Sequence, residues 1–197
     1  MKLLCVGDSL TYGYDVSTNE SWIGQITMKT GLHIHNGGIC GDTTDGMLYR
    51  LQHFPYAPYD AFFLMGGTND ILLEAPLPSV EQNMAAMMDM LVTLHKPVMI
   101  GLPLLTRPES ALYGWQTAGD VKRHNDAITQ YRQWLEKAAI SRQYDAVDFY
   151  QALLEGEQRL GFSLYADGIH PTAAGYTVLA EAVLPVLVNE LPGLMPT

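Results

Sequence analysis

Short, nearly uninterrupted apolar runs alternate along this chain with longer stretches whose apolar positions recur every three or four residues. The runs at 2–6, 32–36, 60–66, 98–102 and 144–149 read as strands. Apolar residues on successive positions are expected where a strand is covered on both faces, as in a parallel sheet. Helical spacing joins Met84, Met87, Met88, Leu91 and Leu94, and Ser79-Val80-Glu81-Gln82 ahead of them has the composition of a capping box. The methionines of this stripe read as core. A second helix carries Val121, Ile128, Tyr131, Leu135 and Ala138, with Trp134 beside the stripe. A third starts at Pro171 and carries Leu179, Val183, Leu187 and Leu191. Pro185 lacks a backbone donor and is expected to kink or break it.

This alternation, with no internal repeat, low-complexity tract or linker, predicts one domain over 1–197. Its fold class is α/β: a three-layer α/β/α sandwich with a five-stranded parallel sheet and right-handed crossovers. Ligands of such sheets bind beyond the carboxyl ends of the strands, where the strand order reverses. Ser9, Gly38 and Asn69 follow the first, second and third predicted strands, so three loops distant in sequence are expected on one rim.

With 197 residues, 48% hydrophobic and only 16% charged, the chain has enough apolar surface for a packed core. A net charge of −10 repels phosphate backbones, so nucleic acid is not an expected partner. The most apolar long stretch, 176–191, contains Glu181, Pro185, Asn189 and Glu190, and no membrane insertion is expected. Only four apolar residues separate Met1-Lys2 from Gly7-Asp8, which is too short for a signal peptide, and the expected location is cytoplasmic. Cys5 and Cys40 have no CxxC spacing, so neither a disulfide framework nor zinc is expected. His33 and His35 share one strand face without a third ligand at useful spacing, and no metal is assigned to them.

Four polar motifs remain: Gly7-Asp8-Ser9-Leu10, Asn36-Gly37-Gly38-Ile39-Cys40-Gly41, Gly67-Thr68-Asn69-Asp70 and Asp167-Gly168-Ile169-His170. Taken singly, each has a plain reading as a helix cap or a polar turn. Taken together, they contain the parts of an acyl-transfer hydrolase: a hydroxyl nucleophile (Ser9), a base (His170), a carboxylate to orient it (Asp167) and oxyanion donors (Ser9, Gly38, Asn69). A P-loop would need Gly-Lys-Ser/Thr after the glycines, and Asp42 follows Gly41. The Gly-x-Ser-x-Gly elbow is absent because position 11 is Thr.

The four blocks, in this order over residues 7–170, resemble those of the SGNH (GDSL-type) serine hydrolases. The resemblance implies a flavodoxin-like sheet and hydrolysis of a small-molecule ester or thioester with no metal or organic cofactor. It also implies Ser9 as nucleophile, His170 as base, Asp167 as its partner, and Gly38 and Asn69 beside Ser9 in the oxyanion hole. The chain has Gly37 where the family often has Ala, and Cys40 where it often has a small polar residue, which makes thiol sensitivity an expectation. Tyr12, Leu72 and Trp115, in or next to the loops of the site, are the expected substrate-binding residues, with Tyr14 and Leu73 nearby. The expected activity is that of a soluble esterase on short- to medium-chain acyl or acetyl esters. Thioesterase or lysophospholipase activity is the alternative, and a non-catalytic carbohydrate- or acyl-binding module is the reading from another class.

Overall fold

A computed structural model of the chain describes residues 1–194. Among them, five strands form one all-parallel sheet in the order β2-β1-β3-β4-β5: β1 (Lys2–Gly7), β2 (His33–Gly38), β3 (Ala61–Met65), β4 (Val98–Leu102) and β5 (Asp145–Asp148). The helices are α1 (Ser9–Tyr12), α2 (Trp22–Thr30), α3 (Thr44–His53), α4 (Thr68–Leu72), α5 (Leu77–Val92), α6 (Val121–Ser141), α7 (Phe149–Leu160) and α8 (Ala173–Glu190).

Successive side chains of a strand point to opposite faces, and here both faces are apolar. Leu3, Cys5, Phe63, Met65 and Met99 pack with Trp22 and Ile26 of α2, Phe149 and Leu153 of α7, and Leu179 and Val183 of α8. Leu4, Val6, Phe62, Leu64, Val98 and Ile100 pack with Met47 of α3, Met84 and Met88 of α5, and Ile128 and Leu135 of α6. The sheet is thus the middle layer of an α/β/α sandwich, as the apolar runs predict. Fully burying one such side chain contributes about 1.5–3 kcal/mol. Because β1 is followed in the chain by one neighbour and then by the other, the order reverses beside it, and the crevice opens at the ends of β1 and β3.

Several boundaries depart from expectation. The second strand runs to Gly38, not residue 36. Phe149, read as the end of the last strand, is the first residue of α7, because Asp148 accepts the Gln151 N–H and caps a helix there. Ser79 is no cap: α5 begins at Leu77, Pro78 sits comfortably in its first turn without a donor, and Ser79 N–H already bonds the Pro76 carbonyl. Leu94 lies beyond the end of α5 but still packs on the same core.

The last helix starts after Pro171. Thr172 is its cap, accepting the Gly175 N–H at 3.1 Å, while Pro171 bridges to Tyr165. Nor does Pro185 break α8, which continues to Glu190. Pro185 and Glu181, whose carbonyl loses its partner, both lie on the exposed face where water can serve it, while Val183 and Leu187 are fully buried.

Candidate active site

The first strand ends at Gly7, where a Cβ would collide with the Thr11 side chain and lie 2.5 Å from the Met65 carbonyl oxygen. Only glycine lets the chain turn so closely from β1 into α1. Asp8 caps that single turn by accepting the Leu10 N–H at 3.0 Å, and Ser9 becomes its first residue. From below, the buried indole N–H of Trp22 donates to the Leu10 carbonyl at 3.0 Å and fixes the turn against the core.

The opposing groups come from the loop ahead of α8, closed by the bridge between Tyr165 and Pro171 and by the Ala166 N–H on the His170 carbonyl. Asp167 Oδ1 accepts the backbone N–H groups of Ile169 (2.9 Å) and His170 (2.7 Å). Its Oδ2 lies 2.7 Å from His170 Nδ1, and His170 Nε2 lies 2.9 Å from Ser9 Oγ. A carboxylate can only accept, so Nδ1 carries the proton and Nε2 is the acceptor facing the hydroxyl. Ser9, Asp167 and His170 are all buried, and the ring of Tyr14 leans over His170 with centroids 4.2 Å apart. This arrangement can take a proton from Ser9 and stabilise the imidazolium that results.

Burial pushes the Asp167 carboxyl up, but the hydrogen bonds from the His170 ring and from the two backbone N–H groups outweigh it and hold it at about 2. The carboxylate is therefore charged across the neutral range. Its folded value lies below its unfolded one, so its stabilising contribution is present above about pH 4 and is lost as pH falls towards 2.

Asp8 behaves oppositely. Burial pushes it up to about 6, against the Leu10 N–H and the nearby His170 and with help from the charges of Asp70 and Asp42. A raised carboxyl destabilises the folded protein increasingly as pH climbs from about 4 to 6, and the loss persists above. Asp8→Asn keeps a cap for α1 without the charge. It is expected to exceed the wild type in stability at pH 8 by about 1–3 kcal/mol, a gain that vanishes below pH 4. Urea unfolding at the two pH values checks this, and an equal difference at both would contradict it.

The acceptor side of the crevice is built around α4. Gly67, with φ +107, turns the chain out of β3 so closely that a Cβ would collide with the Tyr131 ring. Asn69 Nδ2 then donates to the Asp42 carbonyl at 2.8 Å, which uses one of its two hydrogens. Asp70 accepts the Thr44 N–H and hydroxyl, at 2.9 and 2.7 Å from its nearer oxygens. Arg50 binds the Asp42 carboxylate and reaches the Gly37 and Gly7 carbonyls. The turn at 39–43 is thereby fixed beside Asn69.

Gly38 is not an open donor within that turn. Its N–H donates to Asn36 Oδ1 at 2.9 Å, and its missing Cβ makes room for the Tyr12 backbone, whose Cα would lie 2.7 Å away. Gly41 differs: it is exposed at φ +77, open space surrounds it, and among the described residues its N–H has no protein acceptor. Sequence reasoning passes over Gly41 because the Gly37-Gly38 pair draws attention.

Of the expected substrate residues, Tyr12 is exposed and lines a cavity of about 280 Å³ with Gly13, Val16, Thr18, Asn36 and Gly38. Leu72 is half-buried at the end of α4. Trp115 has its one donor on Asp167 Oδ2 at 2.8 Å, so it belongs with the acid–base pair. A separate apolar cavity of about 270 Å³ between β2 and α3 shares none of its lining with Ser9, Asp167 or His170. Cys40 is free and exposed, and burial followed by the charge of Asp8 pushes its thiol up, which disfavours a reactive thiolate.

Residues 5–178, which include all four motifs, match the GDSL-like lipase/acylhydrolase family. The chain is 28% identical to an arylesterase of Vibrio mimicus, over 96% of this chain and 90% of that protein. It is equally similar, at 28%, to esterase TesA of Pseudomonas aeruginosa, over 94% and 87% of the two chains. A solved member of the lipolytic G-D-S-L family from Veillonella parvula superposes with a TM-score of 0.81 at 26% identity, covering 95% of this chain and 98% of that one. The family match covers most of the chain and all four motifs, and the chain belongs to the GDSL-like lipase/acylhydrolase family.

Proposed function

We propose that the protein is a serine esterase that hydrolyses short- to medium-chain acyl esters through an acyl-enzyme on Ser9. The observation that carries this is the continuous contact from Ser9 Oγ to His170 Nε2 (2.9 Å) and from His170 Nδ1 to Asp167 Oδ2 (2.7 Å). Ser9 Oγ attacks the ester carbonyl carbon as its proton passes to His170 Nε2, and Asp167 stabilises the imidazolium. The Ser9 N–H, the Gly41 N–H and the second hydrogen of Asn69 Nδ2 receive the oxyanion. His170 then returns the proton to the departing alcohol. A water deprotonated by the same Nε2 attacks the acyl-enzyme, and the acid and free Ser9 are released.

The names of both relatives, an arylesterase and an esterase, favour oxygen esters. No helix among the described residues is long and apolar enough to cross a membrane. A panel of p-nitrophenyl esters from acetyl to dodecanoyl, run beside matched acyl thioesters, tests the reading. The expected result is highest kcat/KM for the short and middle esters. Faster cleavage of the thioesters would make the protein a thioesterase of the same site, and no turnover by folded protein would favour a binding module.

A further inference from the structure

Residues 103–120, between β4 and α6, clasp the loop that carries Asp167 and His170. The Tyr165 hydroxyl donates to the Leu105 carbonyl at 2.9 Å, and the Arg107 N–H donates to the Gly168 carbonyl at 2.7 Å. Gly168, at φ +85, lets the Ser110 backbone approach so closely that a Cβ would collide with it. Trp115 Nε1 donates to Asp167 Oδ2 at 2.8 Å, the same oxygen that accepts from His170 Nδ1. Its ring meets His170 and Tyr14 edge-on, with centroids 5.3 and 6.0 Å away.

The neighbouring residue is anchored independently. Gln116 Nε2 lies 2.7 Å from both Thr106 Oγ1 and Ser110 Oγ. Those hydroxyls give their hydrogens to Asn125 Oδ1 and the Arg107 carbonyl, so they accept from Gln116. The Gln116 oxygen is thereby turned to buried His124 Nδ1 at 2.6 Å, and His124 Nε2 reaches Glu74 beyond α4 at 3.0 Å. The clasp thus ties the acid–base loop to the segment that follows the helix carrying Asn69.

We propose that Trp115 is a positioning residue: its indole N–H fixes the rotation of the Asp167 carboxylate and draws charge from the oxygen that faces His170. This rests on reading Ser9, His170 and Asp167 as the triad. The charged groups bearing on the His170 ring are Asp167 on its own loop and Asp8 at the head of α1. Ser9, Tyr14 and Trp115, which also contact it, are neutral. Without the indole donor, more charge on Oδ2 faces His170 and the imidazolium is better stabilised.

Trp115→Phe keeps a ring and removes the donor. The expected result is an acid limb of kcat/KM, and of fluorophosphonate labelling, displaced upward. In the same variant kcat is expected to fall roughly tenfold with KM nearly constant. A raised KM with unchanged kcat and an unmoved limb would make Trp115 a substrate contact and overturn the proposal. Should the variant not fold, indole N–H resonances of the wild type decide: that of Trp115 is expected to move as His170 titrates while that of Trp22 stays, and a fixed Trp115 signal overturns the proposal. Ser9→Ala separates the two claims. Labelling that survives in Ser9→Ala refutes the triad, whereas labelling lost there with an unmoved limb in Trp115→Phe refutes the positioning role alone.

Discussion

His170→Ala is expected to lower kcat by about 10⁴–10⁶ for every ester the enzyme turns over, with the fold intact. The size follows from the single base. Nε2 is the acceptor for the Ser9 proton, and the same atom must activate water in the second half-reaction. Without it, attack has to come from an unassisted hydroxyl, and only oxyanion stabilisation and binding are left. The fold survives because Asp167 retains Trp115 and the Ile169 and residue-170 N–H groups as donors, so no buried carboxylate is stranded. Steady-state kinetics beside thermal unfolding check both halves. A loss below about a hundredfold would mean that another group takes the proton.

Asn69→Ala is expected to lower kcat by about 10²–10³ while KM changes little. The amide is positioned to meet charge that exists on the substrate oxygen only in the transition state, so its loss falls on turnover, not on binding. Part of the damage could come from the 39–43 turn, since Asn69 also holds the Asp42 carbonyl. That turn keeps the Asp70–Thr44 and Arg50–Asp42 contacts in the variant, and these hold Gly41 in place. An effect confined to KM would remove Asn69 from the oxyanion hole.

Strands β1, β3 and β4 were legible because they are apolar on both faces, whereas the edge strands β2 and β5 are polar-rich and half-buried and their ends were misplaced. Helices α2, α3 and α7 were not legible, because each is short and its helical spacing is thin: α2 shows only Trp22, Ile23 and Ile26 to the core. Phe149 joins an apolar run to a helix with no residue between them, so the boundary is invisible until Asp148 is seen capping it. Ser9, Asp167, His170 and Asn69 could be selected from their motifs, and the fold brings the first three into contact. Which glycine N–H stays open could not be read, since it depends on where the Asn36 amide turns. The partner of Trp115 was equally hidden: a lone aromatic in a long loop reads as a rim residue, and Asp167 lies 52 positions away.

Every step of the proposed reaction requires Ser9 to be an activated nucleophile. Intact mass after exposure to a fluorophosphonate probe, with Ser9→Ala alongside, tests it most directly. One adduct is expected on the wild type and none on the variant. Folded wild-type protein that takes up no probe, or a variant that labels equally well, would contradict it.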